Sequence, residues 1–402
     1  MKEIVVTEPS FVTSFSCTGG ACRDHCCRNW TINFDKRAVK KYTSSKDIEI
    51  RNIAVTSIQL TKKNALNNWG RVKFSEQTGN CPYLDEERLC MIQKKMGHEA
   101  LSVTCSTYPR SQRTYRNEVQ HSLSLSCPEV ASIVFRDPNA MKLQQRVLLQ
   151  EKLNTASAIN QQDKLINLYC LSFIEQSENQ VEVGLYAVIK FMLYIEKLAG
   201  IDDHTLIEVD AVYSQLLTQM HNDTLKNELA ALSVGSKVKA PLVLLMQNFF
   251  YTSENTRGSG VMQYYIDVLF KTLELDEASV FEEKLAEVER VGGEIVLRDL
   301  QSNGYSFNNF IRYKFWQNDF PNQNGRSTLQ NLYLIIAEYY YIQLLTKACA
   351  KAKGKIECDD VINIIYSFHS ISQHSSIAAE TFYKRIDTVR LGDDLSMIHL
   401  LA

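Results

Sequence analysis

The spacing of hydrophobic residues along the chain changes near residue 140. From about Met141, apolar residues recur every three or four positions, as in MKLQQRVLLQEKLNTASAINQQDKLINLYCLSFIEQ and in LYAVIKFMLYIEKLAG, which ends at Gly200. This period is typical of amphipathic helices, and glycine commonly ends them. The first 127 residues instead contain short apolar runs separated by polar turns. The sequence therefore predicts a mainly α protein, in which an irregular N-terminal region precedes an all-α helical domain.

Local signals define individual helices within the predicted helical domain. The segment Asp276–Arg290 begins with acidic residues and closes on a basic one shortly before Gly292 and Gly293, which predicts a helix that stops at these glycines. The motif STLQ at Ser327–Gln330 has the form of a capping box for a helix that contains Leu332. That helix is rich in apolar residues, but a glutamate, a glutamine and three consecutive tyrosines interrupt it. We therefore predict a buried core helix and not a membrane span.

Two pairs of aspartates and one proline mark further boundaries. Asp202–Asp203 and Asp359–Asp360 are predicted to be helix N-caps, because aspartate side chains accept hydrogen bonds from the free backbone N–H groups of the first turn. Pro138, in FRDPNA, predicts the boundary between a cysteine-rich metal-binding domain at 1–137 and a helical domain at 138–402.

Composition and charge place the chain among soluble globular proteins. It has 402 residues, of which 45% are hydrophobic and 22% are charged, and its formal net charge is −2. This balance argues against a dedicated nucleic-acid binder, which carries a strong basic excess. The charge is nevertheless uneven, because residues 1–127 hold 19 Lys and Arg against 12 Asp and Glu, whereas the remainder holds 25 against 34. A basic, cysteine-rich N-terminal third therefore precedes a mildly acidic body.

The N-terminal sequence bears on the compartment and on the state of the thiols. MKEIVVTEPSFVTSFS has no uninterrupted apolar stretch and no cleavage site of small residues, so a secretory signal is not expected. We therefore expect a cytoplasmic protein, and peripheral association with a membrane stays open. Thiols remain reduced in the cytosol, and the chain has an odd number of cysteines, 11, so disulfides are not expected either.

Eight of the 11 cysteines lie in the first third of the chain and form the candidate metal site. They are Cys17, Cys22, Cys26, Cys27, Cys81, Cys90, Cys105 and Cys127. Thiolates are soft ligands that suit zinc or iron–sulfur clusters, and Cys22 and Cys26 have the spacing of ligands to one ion. Cys26 and Cys27 are adjacent, and adjacent side chains point in different directions in regular structure. The alternative, that these are small buried hydrophobic residues, suits the three cysteines beyond residue 140 better.

The residues leave the identity of the metal open. Two zinc sites of four thiolates each would use all eight cysteines. The pairs Cys81-Pro82 and Cys127-Pro128 instead resemble those near many iron–sulfur sites, where a proline fixes a turn. Arg23, His25 and Arg28 lie among the cysteines and should lower the pKa values of the thiols. A negatively charged cluster would also offset the positive charge of this region.

This order of cysteines resembles a known family. The succession CxxxxCxxxCC, CPYL, a cysteine nine residues further, CxxYPR and a final CP, followed by a long helical region, is similar to the bacterial flagellin lysine-N-methylases, with an N-terminal region of the cysteine-rich, zinc- or iron-chelating CxxCxxCC type. The resemblance covers the whole chain. It implies an enzyme that transfers methyl groups from S-adenosylmethionine to the ε-amino groups of flagellin in the cytosol. It also implies a 4Fe–4S cluster, with zinc as the alternative, that is held by four of these eight cysteines, and the pattern does not fix which four.

The residues themselves contain no familiar methyl-donor motif. GSG at 258–260 and VGG at 291–293 lack the strand context of a Rossmann loop, and Asn29 occupies the place of the third cysteine in the CxxxCxxC motif of radical S-adenosylmethionine enzymes. Tyr108 and Arg110, in CSTYPR, are the candidate cofactor-binding residues, because Arg110 can hold the donor's carboxylate by two parallel hydrogen bonds. The alternative for Arg110 is a structural ion pair in a turn. No catalytic residue is predicted.

A second function stays open on the residues alone. Zinc or an iron–sulfur cluster can fold the N-terminal region of a protein-interaction or redox-sensing module that has no enzymatic activity. In the enzymatic interpretation, flagellin is the protein substrate that the resemblance implies. Nucleic acid is not an expected partner in either case, and a homo-oligomer stays open.

Overall fold

The computed structural model describes residues 1–65, 68–198, 200–232, 236–253, 256–275, 280–300, 305–322, 325–373, 376–390 and 395–402. Two small β-sheets are built from the first 150 residues, and helices follow to the C-terminal end. The strands are β1 (Lys2–Pro9), β2 (Asn33–Phe34), β3 (Ile58–Ala65), β4 (Asn68–Val72), β5 (Arg110–Thr114), β6 (Glu118–Leu123) and β7 (Leu143–Gln150).

The helices alternate with the strands at first and then follow one another. The helices before residue 140 are α1 (Ser10–Ser14), α2 (Lys36–Thr43), α3 (Ile48–Ser57), α4 (Met91–Met96), α5 (Val103–Thr107) and α6 (Pro128–Arg136). Those of the body are α7 (Gln161–Gln176), α8 (Val181–Ile195), α9 (Asp203–His221), α10 (Thr224–Ala231), α11 (Ser236–Tyr251), α12 (Ser259–Leu273), α13 (Phe281–Leu300), α14 (Tyr305–Gln317), α15 (Thr328–Lys353), α16 (Cys358–Ser372) and α17 (Ser376–Asp387). Short 3-10 turns lie at Gly19–Ala21, His98–Ala100 and Ser396–Leu400.

The N-terminal region is not irregular, so that part of the predicted fold class was wrong. One sheet has the strand order β5-β6-β1-β7, and the other has the order β2-β4-β3. Val5 of β1 lies opposite Glu118 in the parallel β6 and opposite Val147 in the antiparallel β7. These pairings join residues more than 100 positions apart. The strands are short and lack a clear alternation of apolar and polar residues, so no local sequence pattern predicted them. The prediction of a mainly α protein with a helical C-terminal part is confirmed.

Strand β7 also corrects the helical interpretation of the residues after Met141. All eight residues of β7 are exposed. Because neither face of this strand is buried, its sequence does not show the alternation of apolar and polar residues that is typical of a strand. Its conformation comes from its backbone pairing with β1 along the whole strand, from Lys2 opposite Gln150 to Pro9 opposite Leu143. The second half of the same stretch does form a helix, α7.

Helix α15 is the core helix predicted around Leu332. Ser327 and Gln330 form the reciprocal capping box at its start, and its buried residues run from Leu329 to Ala350. Glu338 can be buried because the Nζ of Lys314, on α14, lies 2.5 Å from its Oε2. Within the described part of the chain, no helix combines the length and the hydropathy that crossing a bilayer requires.

Other helix boundaries differ from the predictions in part. Asp202 is the N-cap of α9, as predicted, whereas Glu357 precedes α16, so that the Asp359–Asp360 pair lies inside the first turn. Helix α8 ends at Ile195, before the predicted stop at Gly200. The predicted start of α13 at Asp276 lies outside the described residues.

Helix α13 runs through both glycines that were predicted to stop it. A Cβ at Gly292 would lie 2.1 Å from the backbone oxygen of Lys347, on α15. Gly292 therefore serves the close approach of two helices and not a helix end.

Two hydrophobic cores meet at the cysteines. The smaller core lies between Ile32 and Ala100, includes Cys81, and has Cys27, Cys90 and Cys105 packed against it. The larger core belongs to the helical body and also takes in Phe11 and the segment around Cys127. A domain boundary at 137/138 stays a prediction, and residues on its N-terminal side contribute to both cores.

Candidate metal centre

Backbone pairing brings two distant cysteine segments together. The amide of Cys81 donates to the carbonyl oxygen of Cys27 at 2.8 Å, and the amide of Asn29 donates to the carbonyl oxygen of Gly79 at 2.9 Å. Arg28 and Asn80 form an isolated bridge between these two hydrogen bonds. The adjacent cysteines at 26 and 27 are thereby held beside Cys81.

Two short helices add the next two thiols. Cys90 is paired with Leu84 and immediately precedes α4, where its thiol accepts hydrogen bonds from the first backbone N–H groups of the helix. Cys105 lies within α5. The amide of Cys105 donates a hydrogen bond of 3.2 Å to the hydroxyl of Ser102, the N-cap of this helix. Free N–H groups at a helix start favour the thiolate form of a neighbouring cysteine.

We use the name five-thiol group for five cysteines among which the thiolate charge of one raises the pKa of another. Its members are Cys26, Cys27, Cys81, Cys90 and Cys105. Burial raises the pKa values of Cys81 and Cys105 to about 12. A hydrogen bond with Cys27 lowers the pKa of Cys26 to about 7 and raises that of Cys27. Several thiolates can coexist in such a place only if a positive charge compensates them.

The remaining three predicted cysteines lie outside the five-thiol group. Cys22 and Cys127 affect each other's ionisation, and Arg257 favours the thiolate form of both. Burial raises the pKa of Cys127 to about 11. Cys17 is exposed and accepts a hydrogen bond from the amide of Gly19 at 3.5 Å. Electrostatic influence therefore links five of the eight cysteines with one another and links Cys22 with Cys127.

Arg257 is the residue that sequence reasoning missed. It precedes α12, and its side chain is buried against the cysteine-rich segment 22–30. Its Nε donates to Asp24 Oδ2 at 3.0 Å, its Nη2 donates to the Asp24 carbonyl oxygen at 2.7 Å, and its Nη1 donates to the Tyr108 hydroxyl at 2.6 Å. The guanidinium also favours the thiolate of Cys26. One buried cation therefore connects the helical body with the thiols.

Helix α16 supports the same segment. Gly258, with φ of 80°, allows the turn after Arg257 to approach α16, since a Cβ there would lie 3.1 Å from the Cα of Ser367. Arg23 donates to Asn363 and to Asp359, both at 3.0 Å. Asp359 therefore binds the cysteine segment. It does not cap the start of α16, as the sequence predicted.

The predicted cofactor-binding residues have different surroundings. Tyr108 lies beneath Arg257, accepts its hydrogen bond, and stands 3.1 Å from the Ser126 hydroxyl oxygen. Arg110 begins β5, is exposed, and lies over the Phe15 ring at 5.4 Å from its centroid. A role for either side chain in binding a methyl donor stays a prediction.

Two further residues near the cysteines have defined positions. Trp30 donates from its indole nitrogen to the carbonyl oxygen of Cys26, and its ring centroid lies 5.4 Å from that of Tyr108. Burial lowers the pKa of His25, so the ring is neutral at pH 7. Outside the candidate site, Cys170 and Cys349 are fully buried in the helical core, as expected for packing residues.

The thiols suit a soft metal by their chemistry. Among the described residues, no group of three or more His, Cys, Asp and Glu side chains is arranged so that it could hold a metal ion. The chemistry of the donor set nevertheless suits a soft metal, because four of these thiols, Cys27, Cys81, Cys90 and Cys105, belong to or pack against one apolar core, and a bound cation would compensate the charge of their thiolates. The predicted cluster, or zinc in its place, stays a prediction.

Comparison with known proteins identifies the family. The model of the FliB lysine N-methylase C-terminal domain matches residues 167–400. The chain is 50% identical over 402 residues to a lysine-N-methylase of Salmonella choleraesuis and to one of Salmonella typhimurium, in each case over the full length of both chains. The chain belongs to the FliB lysine N-methylase family. It is also 59% identical over 143 residues to the flagellar biosynthetic protein FliU of Salmonella muenchen, which covers 36% of this chain and 84% of that protein.

Membership of the FliB lysine N-methylase family makes the chain a protein-lysine N-methyltransferase. The alternative of a module without enzymatic activity is therefore not supported. The family match begins at residue 167 and so lies in the helical body, whereas the full-length relatives also extend over the cysteines. No solved structure matches this chain.

Proposed function

We propose that the chain transfers methyl groups from S-adenosylmethionine to the ε-amino groups of flagellin lysines, and that this activity depends on a 4Fe–4S cluster held by the N-terminal cysteines. The lysine acceptor is supported by the family and by the two full-length lysine-N-methylases. Flagellin as the protein that carries the lysines is supported by the flagellar name of the Salmonella muenchen relative.

The observation that carries the cofactor proposal is the five-thiol group. Four thiolates are enough for a 4Fe–4S cluster, and the group contains one more than this number. When held by four thiolates, such a cluster would supply one-electron chemistry, and when held by three it would leave one iron open to a further ligand. A cluster with four thiolate ligands is negatively charged, and the buried guanidinium of Arg257 would offset part of that charge.

The methyl transfer sets a requirement on the protein. A lysine ammonium has no lone pair at neutral pH, since its ordinary pKa is about 10.4. The proton must leave before the Nζ lone pair forms the new N–CH3 bond, while the C–S bond of the donor breaks and its electrons stay on sulfur. The products are methyl-lysine, S-adenosylhomocysteine and one proton, which a base or the solvent accepts.

The experiment combines metal analysis with a methylation assay. The full chain is purified without oxygen, and iron, sulfide and zinc are measured per chain together with the visible absorption of the brown cluster. The same preparation is incubated with isotope-labelled S-adenosylmethionine, a reductant and flagellin, and methyl-lysine is detected by mass spectrometry. We expect about four iron and four sulfide per chain and labelled methyl-lysine in flagellin.

The control variant is Cys358→Ala, which changes a half-buried thiol outside the candidate site and should keep both iron and activity. Methyl-lysine formed by a colourless, zinc-containing protein would overturn the cluster and leave the methyltransferase. A protein with bound iron and sulfide that labels other lysine proteins but not flagellin would overturn the substrate.

A further inference from the structure

We infer that the methyl donor binds in the cleft between strand β7 and helices α7 and α14, with its α-amino-acid end on Arg312 and Glu175 and its nucleoside toward Trp316. The inference rests on the proposed function, which names S-adenosylmethionine as the donor. It assigns a site built from residues other than Tyr108 and Arg110, the candidates that the motif suggested.

The donor cleft, as we call it, is formed by two adjoining cavities. One has a volume of about 410 Å³ and includes Arg312, Glu175 and Ser172 in its wall. The other has a volume of about 170 Å³ and is lined by Arg113, Asp163 and other polar residues. The two share Leu143, Leu168 and Trp316 as wall residues. Together they fall in the range of roughly 300–1,000 Å³ that is usual for small-molecule sites.

The larger cavity carries the chemistry that an α-amino acid requires. The side chain of Arg312 is 15% exposed, and its Nη2 lies 3.3 Å from Glu175 Oε1. Its Nε is fully enclosed and has no hydrogen-bond partner among the described residues. Burial lowers the pKa of Arg312, and the carboxylate of Glu175 acts in the opposite direction. Because Nε is closed off from the cavity, a ligand carboxylate would bind the Nη groups of the planar guanidinium.

The second charge of the same ligand also has a partner. Glu175 is mostly exposed at the rim of the cavity, so it can accept hydrogen bonds from an ammonium group while it contacts Arg312. A guanidinium beside a carboxylate is complementary to the carboxylate and ammonium of an amino acid. A simple anion would use only the arginine, and a free lysine side chain would use only the glutamate.

The walls of the cleft suit the rest of the donor. Leu143 and Leu168 are partly exposed apolar side chains next to an enclosed arginine, a combination that is typical of a ligand site. Trp316 is held by a hydrogen bond from its Nε1 to the carbonyl oxygen of His121 at 3.0 Å. An aromatic side chain in a fixed position is a suitable contact for a purine base. Asp163, in the smaller cavity, can accept from ribose hydroxyls.

Helix α14 connects the donor cleft with the cysteine region. Tyr313 stands next to Arg312 in the helix, and its hydroxyl donates to the Leu123 carbonyl oxygen at 3.0 Å and accepts from the Leu125 amide at 3.2 Å. The segment that contains Leu123 and Leu125 continues to Cys127, which immediately precedes α6. One helix and one short segment therefore attach the cleft to Cys127, which lies outside the five-thiol group.

The test measures binding of S-adenosylmethionine to the full chain by calorimetry, without flagellin. Arg312→Gln should weaken binding about 10- to 100-fold, because it removes charged hydrogen bonds worth about 1.5–3 kcal/mol. Arg312→Lys, which keeps the charge, should recover part of the affinity. Arg290→Gln, which changes an exposed arginine paired with Glu294, is the matched control and should bind like the unchanged protein.

A second ligand separates this site from a general loss of structure. 5′-Methylthioadenosine has the nucleoside and the thioether but lacks the amino-acid end, so Arg312→Gln should leave its dissociation constant unchanged within about twofold. Equal affinity of the unchanged protein and Arg312→Gln for S-adenosylmethionine would overturn the assignment of the cleft. A loss in Arg110→Gln with none in Arg312→Gln would return the donor to Arg110. If the unchanged protein binds no S-adenosylmethionine, the proposed donor itself is wrong.

Discussion

Replacing Arg257 by glutamine should destabilise the protein more than any exposed charge removal in the same segment. The side chain of Arg257 is 1% exposed, and that of its partner Asp24 is 11% exposed. The substitution removes the charge partner of an enclosed carboxylate and three hydrogen bonds of 2.6–3.0 Å. Breaking one partner of a buried pair costs about 3–5 kcal/mol, because the other charge remains buried without compensation.

The matched control is Arg23→Gln. Arg23 attaches the same cysteine segment to the helical body through Asp359, but these side chains are 36% and 56% exposed. Exposed pairs contribute about 0–1 kcal/mol, since water and salt screen them. Both arginines attach this segment to the helical body, Arg257 from just before α12 and Arg23 through α16, and they differ in burial.

The assay is urea unfolding followed by tryptophan fluorescence, with all variants at the same metal content. Trp30 and Trp69 lie in the cysteine-rich region and report its unfolding. The double variant Arg257→Gln with Asp24→Asn should cost less than the sum of the two single changes, because no uncompensated charge remains. If Arg257→Gln lowers the free energy of unfolding by no more than Arg23→Gln does, the reasoning from burial is refuted.

Three further predictions concern the helices, the pH and the metal. Gly292→Ala should destabilise the protein by at least about 2 kcal/mol in the same urea assay, because a Cβ would lie 2.1 Å from a backbone oxygen of α15. The control is Gly293→Ala, where the nearest atom to a Cβ is 3.9 Å away. This variant should be neutral or stabilising by about 1 kcal/mol. Burial lowers the pKa of His369 far below 6.5, so the unfolded chain binds the proton more readily. The free energy of unfolding should therefore fall by up to about 1.4 kcal/mol per pH unit below pH 6.5. His369→Gln should reduce this pH dependence between about pH 7 and pH 5. Equal pH dependence in the variant and the unchanged protein would contradict the prediction. The double variant Cys81→Ala with Cys105→Ala leaves three thiols in the five-thiol group and should lose most of the bound iron measured after oxygen-free purification, whereas Cys17→Ala, outside that group, should retain it; equal retention in both would exclude the group as the source of four ligands.

The helices of the body were largely predictable from local sequence. The capping box at Ser327–Gln330 and the N-cap at Asp202 occur where the sequence placed them. Such signals work because a cap and the turn it closes are neighbours in the chain. The same local logic failed at Gly292, whose role is set by contact with a different helix.

The concentration of the cysteines in the first third was also readable from the sequence, but their grouping was not. Spacing suggested that Cys22 and Cys26 share one ion, whereas the structure joins Cys26 with cysteines from three later segments and leaves Cys22 beside Cys127. The backbone hydrogen bond between Cys81 and Cys27 makes the difference, and no pattern within either segment encodes it.

The sequence by itself determined a helical body and a thiol-rich region suited to a metal, because periodicity, caps and ligand chemistry are properties of residues close in the chain. Only the tertiary structure decided which thiols meet, that Arg257 compensates Asp24 from 233 positions away, and that Arg312 has an enclosed N–H donor beside a cleft. The physical reason is that charge compensation and enclosure depend on distances in space, which long-range packing sets.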